Sequence, residues 1–225
     1  MNAWLEKLNE TFIVSGGYRY IIEGFQNTIT ITLGALVIGV IIGSLIAMVK
    51  YFAEETPCLK PLAKICDLYT TVIRGIPITV LLLIFYFVIM VTAAELTVAI
   101  LAFGINSGAY MAELIRSGIN AVDKGQMEAG RSLGISRAQT MRKVIFPQAI
   151  RYILPAIGNE LIALLKETSV AGYITIVDLT RGGNLIRNNT HDAINPLLLV
   201  ALIYLTLVVV LTSLLGVLER KLAKK

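Results

Sequence analysis

Four stretches of this chain contain no Asp, Glu, Lys or Arg: 24–49, 75–94, 96–112 and 193–218. A helix needs roughly 20 apolar residues to cross about 30 Å of hydrocarbon, and there every backbone N–H and C=O must be satisfied internally. Three of the runs meet that length alone, and 96–112 meets it if a charged residue is tolerated at its end. A fifth stretch, about 147–171, is interrupted by Glu160, Lys166 and Glu167. Intramembrane charges are costly and as a rule face a protein interior or a water cavity, so the span is retained and its charges are set aside as functional candidates. Only 16% of the 225 residues are charged and mean hydropathy is +0.75, whereas a soluble domain carries nearer a quarter charged residues. The expected fold is all-α and integral to the membrane. It is one domain, 1–225, with five transmembrane helices at about 24–49, 68–91, 95–119, 147–171 and 195–218.

With those spans, loops alternate between two sides. One side receives Lys50, Lys60, Lys64, Lys124, Arg131, Arg137, Arg142, Lys143, Arg220, Lys221, Lys224 and Lys225; the other receives Lys7, Arg19, Arg181 and Arg187. The positive-inside rule then puts the N-terminus outside and the C-terminus in the cytosol. The net charge of +5 is thus a topology signal, and nucleic acid is not an expected partner. Trp4, Leu5, Leu8 and Phe12 share one helical face, which predicts an interfacial helix at about 2–14. Glu6 and Glu10, with no small-residue cleavage site, argue against a secretory signal there. Cys58 and Cys66 have no metal-ligand spacing around them and read as free thiols.

The cytosolic loop 123–146 is too polar to span and too patterned for a random linker. Gln126 to Leu133 can form a short helix, with Asp123 as its N-cap and Gly134 as its stop. Ser136 can cap a second helix, and Pro147 suits the first turn of the next span. The pattern predicts a rigid helix–Gly–helix knob lying along the membrane.

Glu128, Ala129, Gly134 and Pro147 stand at the spacing of the E-A-A-x3-G-x9-I-x-L-P motif, with Gly130, Val144 and Phe146 in place of Ala, Ile and Leu. This segment resembles the EAA loop of ABC importer permeases. Arg74-Gly75-Ile76-Pro77 is similar to the R-G-T-P segment of polar-amino-acid permeases, and Gly108 to Arg116 to their A-Y-x-A-E-x-x-R stretch. Gly125-Gln126-x-Glu128, Gly158-Asn159-Glu160 and Lys166-Glu167-Thr168-Ser169 extend the likeness over roughly 20–220. It implies a permease of the histidine/glutamine/arginine type, with the MetI-like type I importer fold, in a prokaryotic cell membrane. It also implies that Gly125, Glu128, Ala129, Gly134 and Arg137 couple the chain to a separate ABC ATPase, present in two copies. The remaining implied partners are a second permease subunit, read as a homodimer or a similar heterodimer, and an extracytoplasmic amino-acid-binding protein.

The chain has no G-x4-G-K-[ST] phosphate loop and only one histidine, His191. No catalytic residue and no cofactor is therefore expected in it; ATP and Mg belong to the partner ATPase. The polar groups inside the spans point to a substrate path instead. Asn106, Tyr110 and Glu113 share a face of the third span, and Asn159, Glu160 and Thr168 lie along the fourth. Glu113 or Glu160 can bind an ammonium, and the amides and hydroxyl a carboxylate. Two carboxylates favour a basic amino acid (arginine, lysine or histidine) as cargo. An ATP-independent secondary transporter or channel is the alternative, as is pairing of Glu113 with Arg116 one turn on. The absence of two inverted halves speaks against the secondary transporter.

Overall fold

A run of apolar residues from Ile29 to Val49 gives the longest helix, α2 (Tyr18–Ala53), whose 36 residues reach about 54 Å at 1.5 Å per residue. It follows a short helix, α1 (Asn2–Asn9), and a wide turn over Glu10–Val14. The computed structural model describes residues 2–54 and 56–223, and among them there is no strand. Trp4, Leu5, Ile13 and Val14 are exposed. The segment is fastened where the last helix begins: the Thr11 hydroxyl donates to Asp192 at 3.0 Å, and Lys7 lies 3.9 Å from the same carboxylate. Burial disfavours the Asp192 charge, but donors from Asn195, Ile194 and Thr11 outweigh it and hold the carboxyl below its ordinary range.

The second span does not run as one helix over 68–91. Helix α3 (Lys60–Gly75) and helix α4 (Ile78–Ile84), which continues as a wide turn to Ile89, meet at an angle of 107°. Pro77 is the cause. It lacks an N–H and forces the residue before it out of the helical region, and Ile76 accordingly sits at φ −100°, ψ 129°. The charges on α3, from Lys60 to Arg74, also keep that helix from reading as hydrocarbon-embedded.

Helix α5 (Glu95–Asn120) packs along α2 more extensively than any other pair of helices in the fold. Small residues set the distance. A Cβ at Gly43 would lie 2.8 Å from the backbone of Met111 and Ala112, and Gly39 faces Ser107, so the two backbones touch where side chains are absent. After α5 come α6 (Gly125–Ser132), α7 (Arg137–Thr140), a wide turn over Met141–Ile145, and α8 (Phe146–Glu167). Tight turns over Thr168–Ile174 lead to α9 (Leu179–Thr190), and α10 (Asn195–Ala223) closes the chain. Helices α2, α5 and α10 are long and apolar enough to cross a membrane, and the bent α3–α4 pair adds a fourth candidate. Helix α8, the fifth expected span, has the length at 22 residues and carries Arg151, Glu160, Lys166 and Glu167.

Two apolar clusters divide the core. One joins Ile31, Leu82, Phe103, Leu164 and Ile174; the other joins Ala47, Ile115, Ile145, Ala149 and Ile153 beside the loop helices. At the opposite end, α2 is tied to the start of α9: Asn27 Nδ2 donates to Val177 O at 2.9 Å and Leu179 N to Thr28 Oγ1 at 3.3 Å. Asp178 caps α9 there by accepting from Thr180 N at 2.8 Å and Arg181 N at 3.4 Å. Burial still pushes its carboxyl up to about 6.

Candidate functional site

The loop helices form the knob that the spacing predicts, and each device in it can be assigned. Asp123 is not the N-cap expected for α6: Lys124 holds that position with no side-chain cap, and Asp123 Oδ1 instead accepts from Gly125 N at 2.6 Å in the turn just before the helix. Gly134, at φ +73°, ends α6: Gly134 N donates to Arg131 O at 3.0 Å and Ile135 N to Gly130 O at 3.0 Å. That pair of bonds is a Schellman stop, which requires a left-handed residue at this position. Ser136 and Gln139 then make a reciprocal capping box for α7. Gly130, the residue that departs from the motif's second Ala, is buried against Thr140 of α7, and a Cβ there would collide with it. Met127 and Met141 anchor the knob in the apolar cluster beneath it. Glu128, Ala129 and Gly134 are exposed, and so is Leu133, at 78%. Leu133 is an apolar handle that the sequence motif does not single out. Arg137 faces inward instead, bonded to Tyr51 and Glu54 at the end of α2.

The expected polar path is brought together in part. Glu160 is half-buried on α8 and accepts from the Ser107 hydroxyl of α5 at 3.0 Å. Asn106 is buried next to that serine, and Thr168 is buried with its hydroxyl on Leu165 O at 2.8 Å. Asn159 is exposed. Glu113 turns to Arg116, whose Nε donates to it at 3.0 Å, the local pairing weighed against a ligand role. Tyr110 lies under the Arg74 guanidinium, 5.2 Å from its ring centre. Of the six, Glu160 and Asn106 lie at the α5–α8 contact made through Ser107, whereas Glu113 and Tyr110 lie beside the cations Arg116 and Arg74. Ser107 was missed because one serine among the small residues of a span looks like packing, and it packs against Gly39 as well. No group of three metal-ligating side chains occurs among the described residues.

Residues 39–224 match the family described as the binding-protein-dependent transport system inner membrane component. The chain belongs to that family. It is a multi-pass membrane permease. The permease is 37% identical over 207 residues to the arginine transport system permease protein ArtQ of Bacillus subtilis, which covers 90% of this chain and 92% of the relative. It is 35% identical over 206 residues, with the same coverage, to a Rickettsia typhi protein, GlnP, whose name assigns it provisionally to glutamine transport. A solved amino acid ABC transporter crystallised with histidines superposes with a TM-score of 0.83 at 40% identity, covering 91% of the permease and 94% of that chain. The permease therefore has the fold of an ABC importer's membrane subunit.

Proposed function

We propose that this permease carries an amino acid through the membrane, driven by ATP hydrolysis on a separate ATPase. The observation that carries the reading is the knob of α6 and α7: two capped helices around a left-handed Gly134, presenting Glu128, Ala129 and Leu133 to solvent. The likeness to amino-acid transport proteins supports the cargo class. In this reading the knob lies in the cytosol, N-terminus outside, with α8 as a fifth span. Two ATPase subunits grip two knobs of a permease dimer, and a binding protein delivers the amino acid on the other face. Closure of the ATPases moves the knobs, and the cargo moves because its affinity differs between the two arrangements.

Glu160, seated between α5 and α8 and bonded to Ser107, is the group for the cargo's ammonium or for a cationic side chain. Arginine, lysine or histidine would suit a carboxylate there, although the named relatives include a protein assigned to glutamine. The test is uptake of each labelled amino acid by proteoliposomes holding the permease with its ATPase and binding protein. Uptake should require ATP and select one class of amino acid; uptake that proceeds without ATP would sink the proposal in favour of a secondary transporter.

A further inference from the structure

The end of α2 and the knob flank an apolar groove of about 590 Å³, open to the surface and lined by Met48 and Phe52 on one side and Ala138, Met141, Phe146 and Ile150 on the other. Its floor is the cluster in which Ala47 of α2 packs with Ile115, Ile145 and Met141. Arg137 adds a polar tie between α2 and the knob. Its guanidinium stands over the Tyr51 ring, 4.9 Å from the centre, its Nε donates to Tyr51 Oη at 3.2 Å, and its Nη2 pairs with Glu54. A planar guanidinium held on its face and along its edge fixes direction as well as distance. Arg137 is also the first residue of α7, inside the capping box that Ser136 and Gln139 close, so its backbone moves with the knob.

From this contact at its C-terminal end, α2 runs back through the fold. Gly39 and Gly43 seat it on α5 through backbone approach, and its far end is tied to Val177 and Leu179 through Asn27 and Thr28. A displacement of α7 that reaches Tyr51 therefore reaches the start of α9 along one continuous helix.

Resting on the coupling reading of the knob, we propose that Tyr51 and Glu54 are positioning residues that make α2 move with the coupling segment. They transmit the ATPase stroke without touching ATPase or cargo. The test uses the complete transporter in proteoliposomes and reads amino acid moved per ATP hydrolysed. Tyr51→Leu and Glu54→Gln should each lower that ratio by roughly 5- to 10-fold, and Tyr51→Phe, which keeps the ring, by about 2-fold. The ATPase should copurify in full, basal hydrolysis should persist, and Glu54→Asp should restore most of the ratio. A wild-type ratio in both Tyr51→Leu and Glu54→Gln overturns the proposal. Loss of bound ATPase in them overturns it too, because the residues would then be part of docking. Gly134→Val serves as the separate check: if it leaves docking and uptake intact, the reading of the knob itself has failed, whatever Tyr51 and Glu54 do.

Discussion

The knob and the Glu160 site are built on opposite plans. The turns and caps that shape the knob, at Asp123, Gly134 and Ser136 with Gln139, bond to residues at most five positions away, and Arg137 reaches out to α2. The Glu160 contact joins two helices through residues 53 positions apart. A local device keeps its geometry when its neighbours move; a contact between helices changes when they do. That division suits a transporter: the part that receives the stroke is stiff, and the part that holds cargo sits on a joint between α5 and α8.

Removing the Glu160 charge should have the largest effect. Glu160→Gln keeps the shape and the acceptor for the Ser107 hydroxyl, so the complex should assemble with unchanged thermal stability. Loss of a charged partner for a desolvated ammonium costs about 2–5 kcal/mol, so uptake and cargo-stimulated hydrolysis should fall on the order of 100-fold. Uptake within twofold of wild type would reduce Glu160 to a helix-packing group.

The stiff side of the comparison breaks at Gly134. Apart from its chain neighbours, nothing lies within 4 Å of where its Cβ would be, so a substitution there meets backbone strain and no collision with the rest of the fold. Gly134→Val should cost roughly 1–2 kcal/mol or more in the left-handed region and weaken ATPase copurification by about 10-fold. Gly134→Asn, which tolerates that region, should retain most of it. Equal behaviour of the two would mean that the turn's handedness does not matter for docking.

The same contrast explains what was legible in the sequence. Asp123, Gly134 and Ser136 act through local backbone bonds whose partners lie a fixed number of residues away, and Pro147 through its fixed φ in the first turn of α8, so spacing alone places them. The limits of α5 follow from the same logic, with an apolar run of sufficient length. The break at Ile76–Pro77 was also local, yet a hydropathy window over 68–91 averages across it; the proline should have outweighed the average. Ser107 at Glu160, Arg74 over Tyr110, and Tyr51 with Glu54 at Arg137 depend on how helices cross. No spacing rule connects them. Gly130 lies between the two cases: it departs from the motif for a reason, Thr140, that only the fold supplies.

A smaller effect separates the two helices of the knob. Ser136→Ala removes one half of the capping box and should cost about 1 kcal/mol of local stability, loosening α7 and weakening ATPase binding roughly 5-fold. Ser136→Asp, which still accepts from Gln139 N, should bind as wild type does. If Ser136→Ala binds normally, then the fold around Thr140 and Met141 holds α7 without its cap.

The smallest effect is expected at the other carboxylate. Glu113 and Arg116 lie one turn apart on α5, and the arginine is half exposed. A pair of this kind is worth about 0.2–0.5 kcal/mol, so Glu113→Gln should change uptake less than about 3-fold. Arg116→Gln should do the same, and the double variant should be no worse than the sum. Arg74 and Lys50 add positive charge near Glu113, so the local field opposes a cationic cargo even with the carboxylate in place. A Glu113→Gln variant that loses uptake as fully as Glu160→Gln, with altered preference among amino acids, would overturn this ranking. It would put both carboxylates on the cargo, and the joint that binds it would then run from Glu160 along α5 to the last turns before the knob.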